Sequence, residues 1–160
     1  SDNDAAGITV NPTAGLTTTE AGGTATFTVV LNTQPTANVS IGLSSSDATE
    51  GTVAPASLTF TSANWNVAQT VTVTGVDDAI QDGNVAYTIV TAAATSTDAN
   101  YSGMNAADVS VTNTDNDIAG ITVAPTAGLT TTEAGGTVRE RTEDSTRSGR
   151  PVRAFHSRAV

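Results

Sequence analysis

The sequence predicts an all-β fold, an antiparallel sandwich used as a tandem-repeat module, and three observations carry that reading. Apolar and polar residues alternate with a period of two, as in Thr26-Phe27-Thr28-Val29 and Thr70-Val71-Thr72-Val73-Thr74. This is the pattern of strands that bury one face. Turn-forming residues interrupt the alternation at regular intervals. The chain also repeats itself with a period of 113 residues: Asp2-Asn3-Asp4 returns as Asp115-Asn116-Asp117, residues 6–10 (AGITV) return at 119–123, and residues 12–24 (PTAGLTTTEAGGT) return unchanged at 125–137. So abrupt a restart marks one structural unit of a tandem array.

Taken in order, strands are expected near residues 8–10, 16–20, 24–32, 39–44, 57–61, 67–76, 85–94 and 108–114. Turns are expected at Ala21-Gly22-Gly23, Gln34-Pro35, Gly51, Ala54-Pro55, Asp82-Gly83-Asn84 and Ser102-Gly103, where glycine, proline, asparagine and aspartate supply turn geometry. No stretch carries a helical period. About seven strands in about 110 residues correspond to an immunoglobulin-like β-sandwich. The domain organisation follows from the repeat. Residues 1–4 end a preceding repeat or linker, 5–117 form a complete sandwich, 118–138 are the truncated start of a second, and 139–160 are a basic, disordered tail. At Val138 the repeat breaks: Val138 stands where the first copy has Ala25, and Arg139-Glu140-Arg141 where it has Thr26-Phe27-Thr28 of a core strand.

Charge is distributed very unevenly. Residues 1–138 hold no Lys, Arg or His and carry 13 acids, whereas all six arginines lie from Arg139 onward. Such a chain disfavours nucleic acid as a partner, because phosphate is repelled. There are no cysteines, so disulfides and thiolate metal sites are excluded. No apolar run of 18 residues exists, and no membrane insertion is expected. The chain starts at Ser1 and reads as a piece of a longer protein. Its 31 threonines and absent lysines suit an extracellular or cell-surface protein, and hence secretion.

Strand parity places the acids. Successive strands of an antiparallel sandwich reverse direction, so successive loops fall at alternate ends. Counting from the strand that ends at Glu20, the loops at 21–23, 45–55 and 77–83 and the exit at 115–117 share one end. Glu20, Asp47, Glu50, Asp77, Asp78, Asp82, Asp115 and Asp117 therefore gather at one pole, with Asp98 and Asp108 at the other. Carboxylates crowded together without cations repel, and a bound hard cation reverses that effect. Ca2+ takes six to eight oxygens in flexible geometry, which suits ligands from several loops. Mg2+ demands stricter octahedra, and zinc would want His or Cys, which residues 1–138 lack. The competing reading is that these acids are solvated turn residues, where Asp is common.

The repeat also resembles the Calx-beta domain, a calcium-binding β-sandwich found in exchangers and in tandem arrays of large bacterial surface proteins. The matching pieces are Thr19-Glu20-Ala21-Gly22-Gly23, the loop Asp77-Asp78-Ala79-Ile80-Gln81-Asp82 and the closing Asp115-Asn116-Asp117. The segment from Asn64-Trp65-Asn66 through residues 69–73 to Asp78 is similar to repeats of bacterial cell-surface proteins. The resemblance implies a ligand set. Glu20 would bind from the first loop and Asp47 from the loop after the third strand. Asp77 and Asp78 would bind from the penultimate loop, with the Ile80 carbonyl. Asp82 would be bidentate or bridging, and Asp115 and Asp117 would close the cage. Asp82 stands where the family often has Glu, and Asn116 where it often has Asp; both departures imply fewer or weaker ions.

The expected function is a calcium-binding structural repeat, a stalk or spacer stiffened by Ca2+ where Asp115 and Asp117 lead into the neighbouring repeat. The alternative is an adhesive or carbohydrate-binding module that contacts cell-surface glycans or proteins through loops around Trp65 and Tyr101. Core packing is the competing role for both aromatics. No enzyme is expected: without His, Cys or Lys in the repeat, no Ser–His or Cys–His pair can form.

Overall fold

The computed structural model describes residues 4–135. The basic tail expected at 139–160 lies outside them. One compact unit runs to Ala119, and a second begins at Gly120.

The first unit is a two-sheet sandwich. Nine strands are found among the described residues: β1 (Ile8–Asn11), β2 (Leu16–Thr19), β3 (Thr24–Leu31), β4 (Val39–Ser45), β5 (Gly51–Ala54), β6 (Ser57–Phe60), β7 (Gln69–Gly75), β8 (Val85–Thr91) and β9 (Val109–Thr114). One sheet has the order β1-β3-β7-β5 and the other β2-β9-β8-β4-β6. Alternation explains the core. Phe27, Val29 and Leu31 of β3 and Val71 and Val73 of β7 point inward from one sheet. Ile41 and Leu43 of β4, Tyr87 and Ile89 of β8, and Val109 and Val111 of β9 meet them from the other. The intervening threonines and serines face outward, as period-two strands require.

Two features differ from the sequence reading. The stretch 45–55 is not wholly a loop. Residues 51–54 form β5, which pairs antiparallel with β7 in the register Gly51↔Gly75 to Ala54↔Thr72. The chain then turns at Pro55 and continues as β6 beside β4 in the opposite sheet. One long strand thus crosses between sheets, which is why the end-to-end parity survives an extra strand. The sandwich is also not antiparallel throughout: β2 pairs parallel with β9, from Leu16↔Val111 to Thr19↔Thr114. Parity requires this, because the first and last strands run in the same direction. β1 and β2 are likewise two halves of one strand, the first half paired with β3 and the second with β9.

Both candidate contact aromatics belong to the core side of the structure. Tyr101 is 1% exposed, and its hydroxyl donates to the Thr33 carbonyl (2.7 Å) while the Thr33 amide donates back to it (3.1 Å). Trp65 packs against the hydrophobic core. A buried, hydrogen-bonded tyrosine cannot present its ring to a glycan, so the contact role expected of Tyr101 is corrected to core packing, while Trp65 is half-buried with one side against the core. In the second unit, residues 120–135 contain no strand, although their sequence repeats that of β1 and β2.

Candidate metal centre

The acidic pole is assembled by the loops at the ends of β2, β4, β7 and β9. The β2–β3 turn is tight: the Gly22 and Gly23 amides both donate to the Thr19 carbonyl, and Gly22 takes φ +80°, which disfavours any side chain. The turn sets Glu20 over the sandwich end. Its amide donates to the Thr114 carbonyl (3.1 Å), and its Oε2 accepts the Asn116 amide (2.9 Å). Glu20 is only 3% exposed.

Beneath it lies a buried polar floor that sequence reasoning missed. Thr18 Oγ1 donates to Asn113 Oδ1 (2.9 Å) and lies 3.1 Å from the Tyr87 hydroxyl. Asn113 Nδ2 donates to the Val76 carbonyl (3.0 Å) and reaches Glu50 Oε2 at 3.4 Å. The facing pair Gly51 and Gly75 makes room for this floor. A Cβ on Gly75 would strike the Thr19 carbonyl, and one on Gly51 would strike the Tyr87 hydroxyl. Of the carboxylates above it, the floor touches Glu50, through Asn113, as outer hydrogen bonds do beneath metal ligands.

Two groups of carboxylates stand on this floor. Glu20, Asp115 and Asp117 each bring an oxygen within 4.8 Å of the others, and so do Glu50, Asp78 and Asp82. Local hydrogen bonds hold them. Asp115 Oδ2 accepts the Gly83 amide (2.7 Å) and its Oδ1 the Asp117 amide (2.7 Å), which ties the exit to the β7–β8 loop. Asp78 Oδ1 accepts the Ile80 amide (2.7 Å). Asp117 Oδ2 is buried and has no hydrogen-bond partner.

The electrostatics are those of crowded like charges. The strongest single influence on Glu20 is the Asn116 amide, which favours the carboxylate. Burial and the charges of Asp115, Asp78 and Asp117 outweigh it and raise its pKa above the usual range. Asp117 is raised by burial first, and then by Asp115, Asp77, Asp78 and Asp82. Since both groups of acids act on these residues, the two groups adjoin. No side-chain cation exists among the described residues to relieve them.

The remaining expected ligands are placed differently. Asp77 is exposed and borders the pole, with the Asn116 side-chain amide 3.4 Å from its Oδ1. Ile80 is exposed, and its carbonyl already accepts the Asp82 amide (2.9 Å). Asp47 stands in neither group. Its Oδ1 accepts the Thr49 hydroxyl (2.6 Å) and amide (3.0 Å), and those bonds, the hydroxyl first, lower its pKa. Glu50, 6% exposed, takes the inner position from the same loop. The signal for Glu50 was the short alternation Gly51-Thr52-Val53-Ala54. Once that stretch is a strand beside β7, the Glu50 carbonyl accepts the Val76 amide (3.0 Å) and the residue is locked against the pole.

No protein-family model matches the sequence, and no curated protein matches it. The likeness is to solved β-sandwich structures. The apo form of the Calx CBD1 domain matches with a TM-score of 0.51 and 17% identity, over 69% of this chain and 96% of that one. The periplasmic chaperone SfaE matches with a TM-score of 0.54 and 10% identity, over 69% of this chain. The match spans 58% of the chaperone's own length. At such identities the likeness establishes the fold, a β-sandwich of this kind.

Proposed function

We propose that the sandwich is a calcium-binding structural module whose ions fasten its exit strand to its polar loops. The observation that carries this reading is Asp117 Oδ2, a buried carboxylate oxygen without a hydrogen-bond partner, set beside the buried Glu20, with no cationic side chain among the described residues. An unpaired buried carboxylate is costly. A divalent cation supplies the missing partner and turns mutual repulsion into shared attraction. The donors are all hard oxygens from four loops, which suits Ca2+ over Zn2+ and, for want of fixed octahedral geometry, over Mg2+.

Glu20, Asp115 and Asp117 would hold one ion, and Glu50, Asp78 and Asp82 a second, with Asp77 adding charge at the rim. Asp78 and Asp82 are exposed, so the second ion would keep several waters and bind more weakly. Because Asp115 and Asp117 leave the domain, an ion there would stiffen the junction to the following repeat. Weak sites of this kind suit the millimolar calcium of an extracellular medium, and a spacer of a surface protein is the role they fit. No catalytic activity is proposed.

Thermal unfolding of the chain in EDTA, CaCl2 and MgCl2 tests the proposal. A ligand at 100 times its Kd stabilises the native state by about 2.7 kcal/mol. For a domain of this size that is a rise of about 10 °C in Tm. The rise should be specific to calcium and vanish in the double variant Asp78→Asn with Asp117→Asn. An equal Tm in all three solutions would leave the pole as solvated turn acids.

A further inference from the structure

We propose that the partial second copy is a strand donor, which completes the sandwich of another copy of this chain by taking the place of its β1 and β2. The observation is one sequence in two states. In the first copy Ile8, Val10 and Leu16 pack against the core, through β1 on β3 and β2 on β9. Their counterparts Ile121, Val123 and Leu129 are exposed, Ile121 at 94%. In this chain, residues 139–160 stand where further strands of the second copy would follow, and they do not repeat the first copy. The exposed segment therefore carries the side chains for a specific seat, and the only such seat described is the one that β1 and β2 occupy.

That seat is open to exchange. β1 is the edge of one sheet and β2 the edge of the other, so both can leave without parting any other pair. An incoming segment 119–137 reproduces every side chain of residues 6–24 except Asn11, whose counterpart is Ala124. At Asn11 the bond to Thr28 uses the main-chain carbonyl, which alanine also provides. Thr131 would replace Thr18 in its bonds to Asn113 and Tyr87, and Glu133 would bring the carboxylate of Glu20 to the pole. Edge pairing by an identical strand is the least costly route to association between copies.

The acceptor must be a second molecule. Asp115, two residues before Asp117, is bonded to Gly83 at the acidic pole, whereas Ile8 faces Leu31 at the opposite end of β3. The eight residues of β3 span roughly 23 Å or more. The four steps from Asp117 to Ile121 reach at most about 14 Å. A chain therefore cannot seat its second copy in its own sandwich in register. The resident arm is covalently attached, with an effective concentration on the order of millimolar, so the natural chain stays mainly monomeric at micromolar concentration. The exchange becomes populated when the resident arm is impaired.

An acceptor-only chain carries Ile8→Asp, Leu16→Asp, Ile121→Asp and Leu129→Asp. Mixed with the natural chain at micromolar concentration, it should form a one-to-one complex by light scattering. Mixed with a chain carrying only Ile121→Asp and Leu129→Asp, it should form none. A second measurement does not depend on the acceptor chain folding. Thr9 faces Val30 across β1 and β3, so a donated Thr122 would face Val30 of the acceptor, within disulfide reach. The chain has no native cysteine to confuse the result. Oxidation traps the exchanged form even where it is a minor population, so under prolonged mild oxidation Val30→Cys with Thr122→Cys should accumulate disulfide-linked dimers. Thr52→Cys with Thr122→Cys, on an exposed strand elsewhere, should give at least ten-fold fewer. Equal cross-linking of the two, or none from the first, overturns the proposal whatever the acceptor chain does.

Discussion

Residues 12–22 and residues 125–135 have the same sequence and different structures, and the difference isolates what a strand requires. What is local is the same in both. Gly15 and Gly128 both take φ +79°, and Gly22 and Gly135 both take φ +80°. The Gly22 amide donates to the Thr19 carbonyl at 3.0 Å, and the Gly135 amide to the Thr132 carbonyl at 3.1 Å. What is not local differs. Leu16–Thr19 is a strand because β9 offers a ladder and Val111 a surface; Leu129–Thr132 finds neither among the described residues and is not. Turns are written in a few residues, whereas a β-strand is a relation between segments, and its propensity counts only on a surface that accepts it.

The comparison can be broken from either side. The largest effect should come from removing the shared surface. Phe27→Ala, at a fully buried position of β3, should cost about 3–5 kcal/mol in chemical denaturation. It should also drive the amides of Thr17, Thr18 and Thr19 toward the unprotected hydrogen exchange expected of Thr130, Thr131 and Thr132. Next comes one residue in two settings. Leu16→Ala should cost about 2 kcal/mol, since Leu16 is only partly buried, while Leu129→Ala should stay within about 0.5 kcal/mol of the parent. Smaller again is the polar floor. Thr18→Ala removes a buried hydroxyl and leaves Asn113 Oδ1 short of a donor, for about 1–2 kcal/mol; Thr131→Ala should cost nothing measurable.

Charge sharpens the same contrast at the smallest scale. Glu20 and Asp117 have raised pKa values in the fold, so their contribution to stability is greatest when they are protonated and is lost as pH rises through those values. Asp98 is lowered, by the Thr36 amide first and then the Asn100 amide, so its contribution is present above the ordinary aspartate pKa and is lost as pH falls through its lower value. In EDTA, Tm should therefore rise modestly as pH falls from 7 toward about 5, and fall below about pH 4. In calcium the first trend should reverse, because protons compete with the ion.

Much of the fold was legible in the sequence because β-patterning is short-ranged. Alternation at Thr26-Phe27-Thr28-Val29 and Thr70-Val71-Thr72-Val73-Thr74 marked β3 and β7, and the turn residues marked their ends. β5 escaped because four residues, Gly51-Thr52-Val53-Ala54, offer too little alternation to separate a strand from a loop. That omission had a chemical consequence. Asp47 and Glu50 lie three residues apart in one loop, and only the pairing of Gly51 with Gly75 turns Glu50 inward while Asp47 caps its own turn at Thr49. Strand parity could assign acids to a pole, but not decide which of two neighbours faces it. The polar floor of Thr18, Tyr87 and Asn113 was illegible for a different reason: its members lie far apart in sequence, and each looks like an ordinary strand residue.

The central claim is that the carboxylates at this pole share calcium, and direct titration of the chain with CaCl2 by isothermal calorimetry tests it. Saturable binding at the expense of MgCl2 is the expected result, with proton release that grows as pH is lowered toward the raised values of Glu20 and Asp117. Asp117→Asn should weaken it at least ten-fold. Absence of saturable heat at millimolar calcium, or binding unchanged in Asp117→Asn, would contradict the claim.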